Sequence, residues 1–148
     1  ATKTQHKLKP DQIEIQEFKL LKGSINSPFE FEFNEIESHQ FKVDLKLGFA
    51  LDEKKVMSEF KVTVRTESSE KNEEEAEGEF VFAFFFLVEN LDDLAKLDKD
   101  NKVEVDFGLL NAIASITYST TRGILMTRFQ GTALRKFILP VIDPNELL

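Results

Sequence analysis

The sequence predicts an α+β domain in which an antiparallel sheet, built early in the chain, is followed by one long helix. Apolar and polar residues alternate strictly over 41–51; Val56, Phe60, Val62 and Val64 continue on even positions, and the run 79–89 is apolar at almost every position. Between 109 and 130, apolar residues recur at spacings of three and four. Period two is typical of strands and the wider spacing of a helix. With 148 residues, the chain is long enough to bury a core without a disulfide or metal.

The N-terminal third begins with a polar stretch and continues with extended structure. We expect residues 1–11 to form a polar, flexible arm and residues 12–148 to form a single domain. Ile13 and Ile15 start an alternating strand over 12–22, and the break in the pattern near Phe18 indicates an irregularity. The composition of 23–28 (GSINSP) is typical of a turn. Three phenylalanines then alternate with polar residues, as in a short strand or extended edge segment: Phe29, Phe31 and Phe33.

The next segments predict a hairpin followed by an acidic loop. Strands 41–51 and 56–64 are joined by the four residues 52–55, which is typical of an antiparallel hairpin. Residues 67–79 contain seven acids and one lysine, so they cannot contribute to a core. We interpret them as a solvated loop that keeps an aggregation-prone neighbour soluble; the alternative is an electrostatic arm for a basic partner.

Strand 79–89 is apolar on both faces. Val81, Ala83, Phe85 and Leu87 lie opposite the face that carries most of its phenylalanines. Such a strand needs a cover on both sides. Since one long helix covers one face, the other needs a loop, a partner subunit or a ligand. This is the first indication of oligomerisation or a binding surface.

The long helix over 109–130 carries two stripes. The first stripe consists of apolar residues and threonines, and we expect it to face the core: Leu109, Ile113, Ile116, Thr120, Ile124 and Thr127. The other has small residues four positions apart, which would let another helix approach closely: Ser115, Ser119 and Gly123. A glycine at 131 suits the end of a helix. At the C-terminus, Asp143 followed by Pro144 predicts the start of a short helix.

Charge and motif content exclude several classes of function. The net charge of −8 is divided into −10 over residues 1–107 and +2 over the remainder, which argues against nucleic acid as a partner. The longest apolar run is too short to cross a membrane as a helix. Among catalytic motifs, no P-loop, GxSxG, HExxH, CxxC or GxGxxG occurs, and there is no cysteine. His6 lies in the arm and His39 in an expected turn, so we predict no metal, no cofactor and no enzymatic activity.

The C-terminal third resembles the SecB family of bacterial export chaperones. The resemblance rests on ITYSTTR at 116–122 and on a later set of residues: Gly131, Phe137, Leu139, Pro140 and Val141. It implies a four-stranded antiparallel sheet with one long helix and a short C-terminal helix packed on one face. It also implies a cytoplasmic dimer of dimers with the long helices between dimers. Such proteins hold unfolded preproteins in apolar grooves without ATP.

Together, the resemblance and the apolar pattern nominate candidate residues. Those for client binding are Phe29, Phe31, Phe33, Phe85, Leu87 and Phe137; those for the oligomer interface are Ser115, Ser119, Gly123 and Thr127. The acids with which the export chaperones engage the translocase motor ATPase have no counterpart in 22–26 or 80–84. A dedicated chaperone of an antitoxin is therefore an alternative. A third hypothesis is a small-ligand or enzyme domain, which would require a closed apolar pocket with buried carboxylates.

Overall fold

The computed structural model describes residues 8–29, 36–69 and 74–148. Its centre is a four-stranded antiparallel sheet, as expected, with strand order β1-β4-β3-β2. The strands are β1 (Ile13–Asn26), β2 (Ile36–Ala50), β3 (Lys55–Ser68) and β4 (Glu77–Val88). Both β1 and β2 are therefore edge strands. A short 3-10 helix, Pro10–Gln12, leads into β1.

The remaining elements follow β4. A four-residue helix, α1 (Leu91–Leu94), leads into a small hairpin of β5 (Ala95–Leu97) and β6 (Val103–Val105). The long helix α2 then runs over Phe107–Arg128, two residues earlier than expected, because the Asp106 carboxylate accepts a hydrogen bond from the Leu109 backbone N–H and caps it. Gly131 has φ +78°, just beyond the helix. A 3-10 helix, Pro144–Leu147, ends the chain and is capped by Asp143 as predicted. No helix in the described residues is long and apolar enough to cross a membrane.

The sheet has two distinct faces, which the strand register defines. Val62 pairs with Phe80 and Phe60 with Phe82, so the even positions of β3 and β4 share one side, here called the helix face. Leu45 of β2 pairs with Phe60 and lies on the same side. The fully buried core is built on this face from Phe60, Phe82, Phe84 and Phe86 of the sheet, together with Leu109, Ile113 and Leu125 of α2. The opposite side is called the outer face.

Two bulges interrupt β1 and shift its pattern. The register against β4 slips between Ile15 and Glu17 and again between Leu20 and Lys22, which confirms the irregularity predicted near Phe18. The strand nevertheless continues to Asn26, so the turn predicted at 23–28 is wrong over its first four residues. Gly23 is explained by packing instead, since an added Cβ would lie 3.2 Å from the Phe80 ring.

Two further predictions need correction. His39 lies inside β2, which begins at Ile36, and not in a turn. On α2, the predicted core positions Thr120 and Thr127 are exposed. The buried stripe instead includes Ala114, Thr117, Tyr118 and Thr121. The hydroxyls of Thr117 and Tyr118 enter the core because they find partners on Ser58 and on the Pro140 carbonyl, whereas the Thr121 hydroxyl has no hydrogen-bond partner among the described residues.

Candidate polypeptide-binding surface

The position of α2 is set by contacts with β3. The hydroxyls of Ser58 and Thr117, both buried, are joined by a hydrogen bond of 2.6 Å. The rings of Phe60 and Tyr118 meet edge to face, with centroids 5.9 Å apart. The helix therefore lies over one of the two central strands.

The segment that follows α2, residues 129–148 and here called the C-terminal segment, covers the β2 side of the helix face. The Phe137 ring lies 5.4 Å from His39 and 5.6 Å from Phe41, measured between centroids. Tyr118 donates a hydrogen bond to the carbonyl of Pro140, which ties the segment to α2. Burial accordingly raises the pKa of the Tyr118 hydroxyl. The final 3-10 helix packs against α2 and β2.

Among the described residues, the β1 side of the same face is left partly open. Three apolar side chains of β1 point to the helix face and remain about two-fifths exposed or more: Ile15 (46%), Phe18 (42%) and Leu20 (40%). We call these three residues the β1 strip. Phe18 packs on the core rings Phe82 and Phe84, with centroids 5.6 and 5.2 Å apart. The strip is thus an apolar surface anchored on buried aromatic rings.

One edge of α2 borders this open region. Tyr118 marks the edge that faces the C-terminal segment and β2. Helical periodicity places Ile116, Thr120 and Ile124 on the opposite edge, toward β4 and β1. Ile116 and Ile124 are half-buried against the core. The edge of α2 that is turned away from β2 is therefore apolar at Ile116 and Ile124.

The charged residues of β1 lie away from the strip. Glu14, Glu17 and Lys19 pair with the outward positions of β4, so they belong to the outer face. Lys19 also lies 5.5 Å from the centre of the Phe85 ring on that face. A client side chain on the strip would consequently meet hydrocarbon, which suits the apolar segments that unfolded chains expose.

The residues nominated from the sequence are dispersed. Phe29 is fully exposed after the end of β1, while Phe31 and Phe33 lie outside the described residues. Phe85 and Leu87 are half-buried on the outer face, away from the strip. Phe137 is 6% exposed and belongs to the core, so it is not available to a client. The strip itself was missed because the bulge between Ile15 and Phe18 hides the fact that both point to one side.

The small-residue stripe on α2 points away from the sheet. Ser115 is half-buried, and Ser119, Gly123 and Thr127 are exposed. An added Cβ at Gly123 would meet no atom within 4 Å. Packing inside the described chain therefore does not explain this glycine.

A concavity lies on the outer face, at the end of the sheet where β4 begins. Its volume is about 800 Å³, and polar residues such as Gln40, Lys42 and Thr63 line it. There, the Glu79 carboxylate accepts hydrogen bonds from the ammonium groups of Lys22 and Lys61, with N–O distances of 2.9 and 3.3 Å. These hydrogen bonds hold the pKa of the Glu79 carboxyl below its ordinary value. This open, ion-paired site differs from the closed apolar pocket that the enzyme hypothesis requires. Within the described residues, no group of His, Asp or Glu could hold a metal ion.

Comparison with known proteins identifies the architecture. No family model matches the sequence, and no curated protein matches it. Among solved structures, it is similar to the Mycobacterium tuberculosis Rv1957 SecB-like chaperone, solved in complex with a ChAD peptide from the Rv1956 HigA1 antitoxin. The match covers 89% of this chain and 91% of that one, with a TM-score of 0.62 and 12% identity.

The chain has a SecB-like fold. This confirms the fold that the short C-terminal motif and the strand pattern predicted, although few residues are shared. The SecB-like sheet accounts for the strand order β1-β4-β3-β2 and for the long helix on one face. At 12% identity, the similarity concerns the architecture, so the chemistry of the surface must be argued from this chain's own residues.

Proposed function

We propose that this chain is an ATP-independent chaperone that holds non-native polypeptides on the β1 strip. The observation that carries the proposal is the exposure of Ile15, Phe18 and Leu20 on the helix face, beside the apolar edge of α2. Such an apolar surface, left open by the elements that the structure describes, is typical of a binding site for an apolar partner. The SecB-like fold supports the same conclusion.

The test compares two exposed phenylalanines. Phe18→Ser removes the central ring of the strip, whereas Phe107→Ser removes a ring that is 59% exposed at the start of α2. We expect the wild type and Phe107→Ser to slow the aggregation of an unfolded client measured by light scattering. Phe18→Ser should lose most of this effect while keeping its circular dichroism spectrum. A wild-type protein without any effect on aggregation would refute the proposal.

The second candidate function is protection of an antitoxin. The structural neighbour is described with an antitoxin peptide, and this role does not need the motor-docking acids that 22–26 and 80–84 lack. The discriminating measurement is the affinity for a single antitoxin-derived peptide relative to generic unfolded chains. Selective binding of one peptide, together with an antitoxin gene beside this one, would favour the dedicated role over general holding or export.

We further propose a homo-oligomer, a dimer of dimers in the bacterial cytoplasm. The exposed stripe of Ser115, Ser119, Gly123 and Thr127 would allow close contact between long helices of neighbouring dimers. Several weak strips on one particle would add avidity for a long client. The mass of the purified protein by light scattering tests this, and a monomer would contradict it.

A further inference from the structure

The residues of the β1 strip are evenly spaced along the sheet, although their spacing in the sequence is uneven. Ile15, Phe18 and Leu20 pair with positions 86, 84 and 82 of β4, so each step along the strip equals two residues of the neighbouring strand. Gln16 is the extra residue that the first bulge accommodates. At about 3.4 Å per residue, the three apolar side chains repeat about every 6.8 Å.

This row extends by one more apolar side chain. Ile13 pairs with position 88 of β4, a further step of two residues, and is half-buried. Beyond Leu20, the next position of β1 on the helix face is Gly23, which has no side chain. The row therefore consists of four apolar side chains over about 20 Å, and three of them form the β1 strip.

The charged side chains of β1 are kept off this row. Glu14, Glu17 and Lys19 lie on the outer face, so the row itself presents neither a cation nor a carboxylate to a bound chain. Burying a polar group against hydrocarbon without a hydrogen bond costs free energy. A client must therefore turn apolar side chains to the row and point its polar side chains away, toward water.

An extended client matches the repeat of the row, and a helical client does not. Along an extended chain, the side chains on one side recur at every second residue, about 6.8 Å apart. Along a helix they recur once per turn, about every 5.4 Å. Over the three steps from Ile13 to Leu20, the helical repeat would fall behind by about 4 Å, which is more than half a step. Rows of equal repeat can interdigitate, as the inner faces of packed sheets do.

We infer that the β1 strip selects clients by the order of their residues and not only by their apolar content. The preferred segment is extended, with apolar side chains at three or four successive alternate positions and polar residues between them. This is the pattern of an amphipathic β-strand. The inference rests on the proposed function, because it names the client class of the same site.

Three peptides of identical composition test the inference. Each has four leucines among eight serine and glutamine residues. The first peptide places its leucines at successive alternate positions, the second at i, i+3, i+4 and i+7, and the third in one continuous run. When extended, the first turns all four leucines to one side, whereas the other two turn only two leucines to each side.

The affinity of the wild-type protein for the labelled peptides is measured by fluorescence anisotropy. We expect the alternating peptide to bind about tenfold tighter or more than each of the others, because two further leucines leave water on the same surface. Equal affinities for the three peptides would overturn the inference, as would a preference for the helical or the continuous pattern.

Two variants assign the selectivity to the β1 strip. Ile15→Gln removes the apolar side chain at one end, which is 46% exposed, and Phe18→Ser removes the central ring. Each should reduce the advantage of the alternating peptide at least about threefold. Phe107→Ser is the matched control, since it removes a 59% exposed ring at the start of α2, and it should keep the advantage. An advantage that survives both strip variants would place the selectivity elsewhere and refute the inference.

N-methylation of the alternating peptide distinguishes side-chain packing from strand addition. Methylated amides cannot donate the backbone hydrogen bonds with which a peptide adds to a sheet edge. Packing on the row uses side chains, so we expect affinity to change less than about threefold. Loss of binding on methylation would contradict the inference, because the selected pattern would then reflect edge pairing.

The outcomes separate this inference from the proposed function. If the wild type slows the aggregation of an unfolded client but binds the three peptides equally, the selection by pattern is wrong and the chaperone role stands. If it prefers the alternating peptide but has no effect on aggregation, the chaperone role is wrong.

Discussion

The two edge strands of the sheet have similar composition and different surroundings. β1 and β2 both alternate apolar and polar residues, and both place the apolar set on the helix face. Over β2, the C-terminal segment lies with Phe137 against Phe41 and His39. Over β1, no described element provides a comparable ring, and Phe18 is left 42% exposed.

The difference shows that amphipathic strands in one sheet can serve separate purposes. Where the chain supplies its own cover, the apolar residues stabilise the fold. Where it does not, they stay accessible to another molecule. The hydrogen bond between Ser58 and Thr117, here called the helix anchor, fixes α2 on β3 between the two edges of the sheet. The return of the C-terminal segment over β2 therefore decides which edge is covered.

The largest expected effect concerns the cover of β2. Phe137→Ala would remove a buried ring from contact with Phe41, His39 and Phe129, and should lower the free energy of unfolding by about 3–4 kcal/mol. Phe18→Ala, its counterpart on the open side, should cost about 1–2 kcal/mol, because its ring is already partly in water. Urea denaturation measures both.

Equal losses for the two alanine variants would contradict the distinction between a covered and an open edge. In the aggregation assay, the order should reverse. Phe18→Ala should impair client holding more than Phe137→Ala at a temperature where both variants remain folded.

Much of the fold follows from local patterns in the sequence. The hairpin 41–64 was predicted because apolar and polar residues alternate there, and the two-faced strand after it because a short, continuous apolar run is typical of a strand covered on both faces. The ends of elements were less predictable. Gly23 resembled a turn residue, although it serves a close approach to Phe80, and only the tertiary structure reveals that contact.

The site was less predictable than the fold. Phe85 was singled out because strand 79–89 has apolar residues on both faces, but exposure depends on which neighbours return to cover a strand. Phe137 illustrates the limit, since its apolar extended segment suggested a groove and the structure buries it. At β1, a one-residue bulge reverses the facing of the side chains that follow, until the second bulge reverses it again, and the alternation rule cannot follow these changes.

A smaller effect is expected at the helix anchor, which sets how much of each edge is left open. Thr117→Val keeps the shape of the side chain but leaves the buried Ser58 hydroxyl without its partner. This should cost about 1–2 kcal/mol of unfolding free energy, measured by urea denaturation. Adding Ser58→Ala should recover part of the loss, since the orphaned hydroxyl is then removed. A double variant less stable than Thr117→Val would show that the hydrogen bond is not the main contribution.

The smallest effect is a pH dependence confined to the covered edge. His39 packs against Phe137, and its Nε2 is buried without a hydrogen bond among the described residues. Burial lowers its pKa below the ordinary 6.5. The unfolded chain therefore takes up a proton at a higher pH than the folded chain. Stability should be unaffected above about pH 6.5 and decline as the pH falls from there through the folded pKa.

His39→Gln isolates this contribution, because glutamine does not titrate while every other group is kept. Urea denaturation between pH 7.5 and 5 should give a shallower loss of stability for the variant than for the wild type. Because no histidine lies in β1, a substitution at the open edge should not change how the free energy of unfolding depends on pH between 7.5 and 5. The Phe18→Ala protein should thus retain the wild-type slope. An equal slope in wild type and His39→Gln would mean that protonation of this histidine does not loosen the cover over β2.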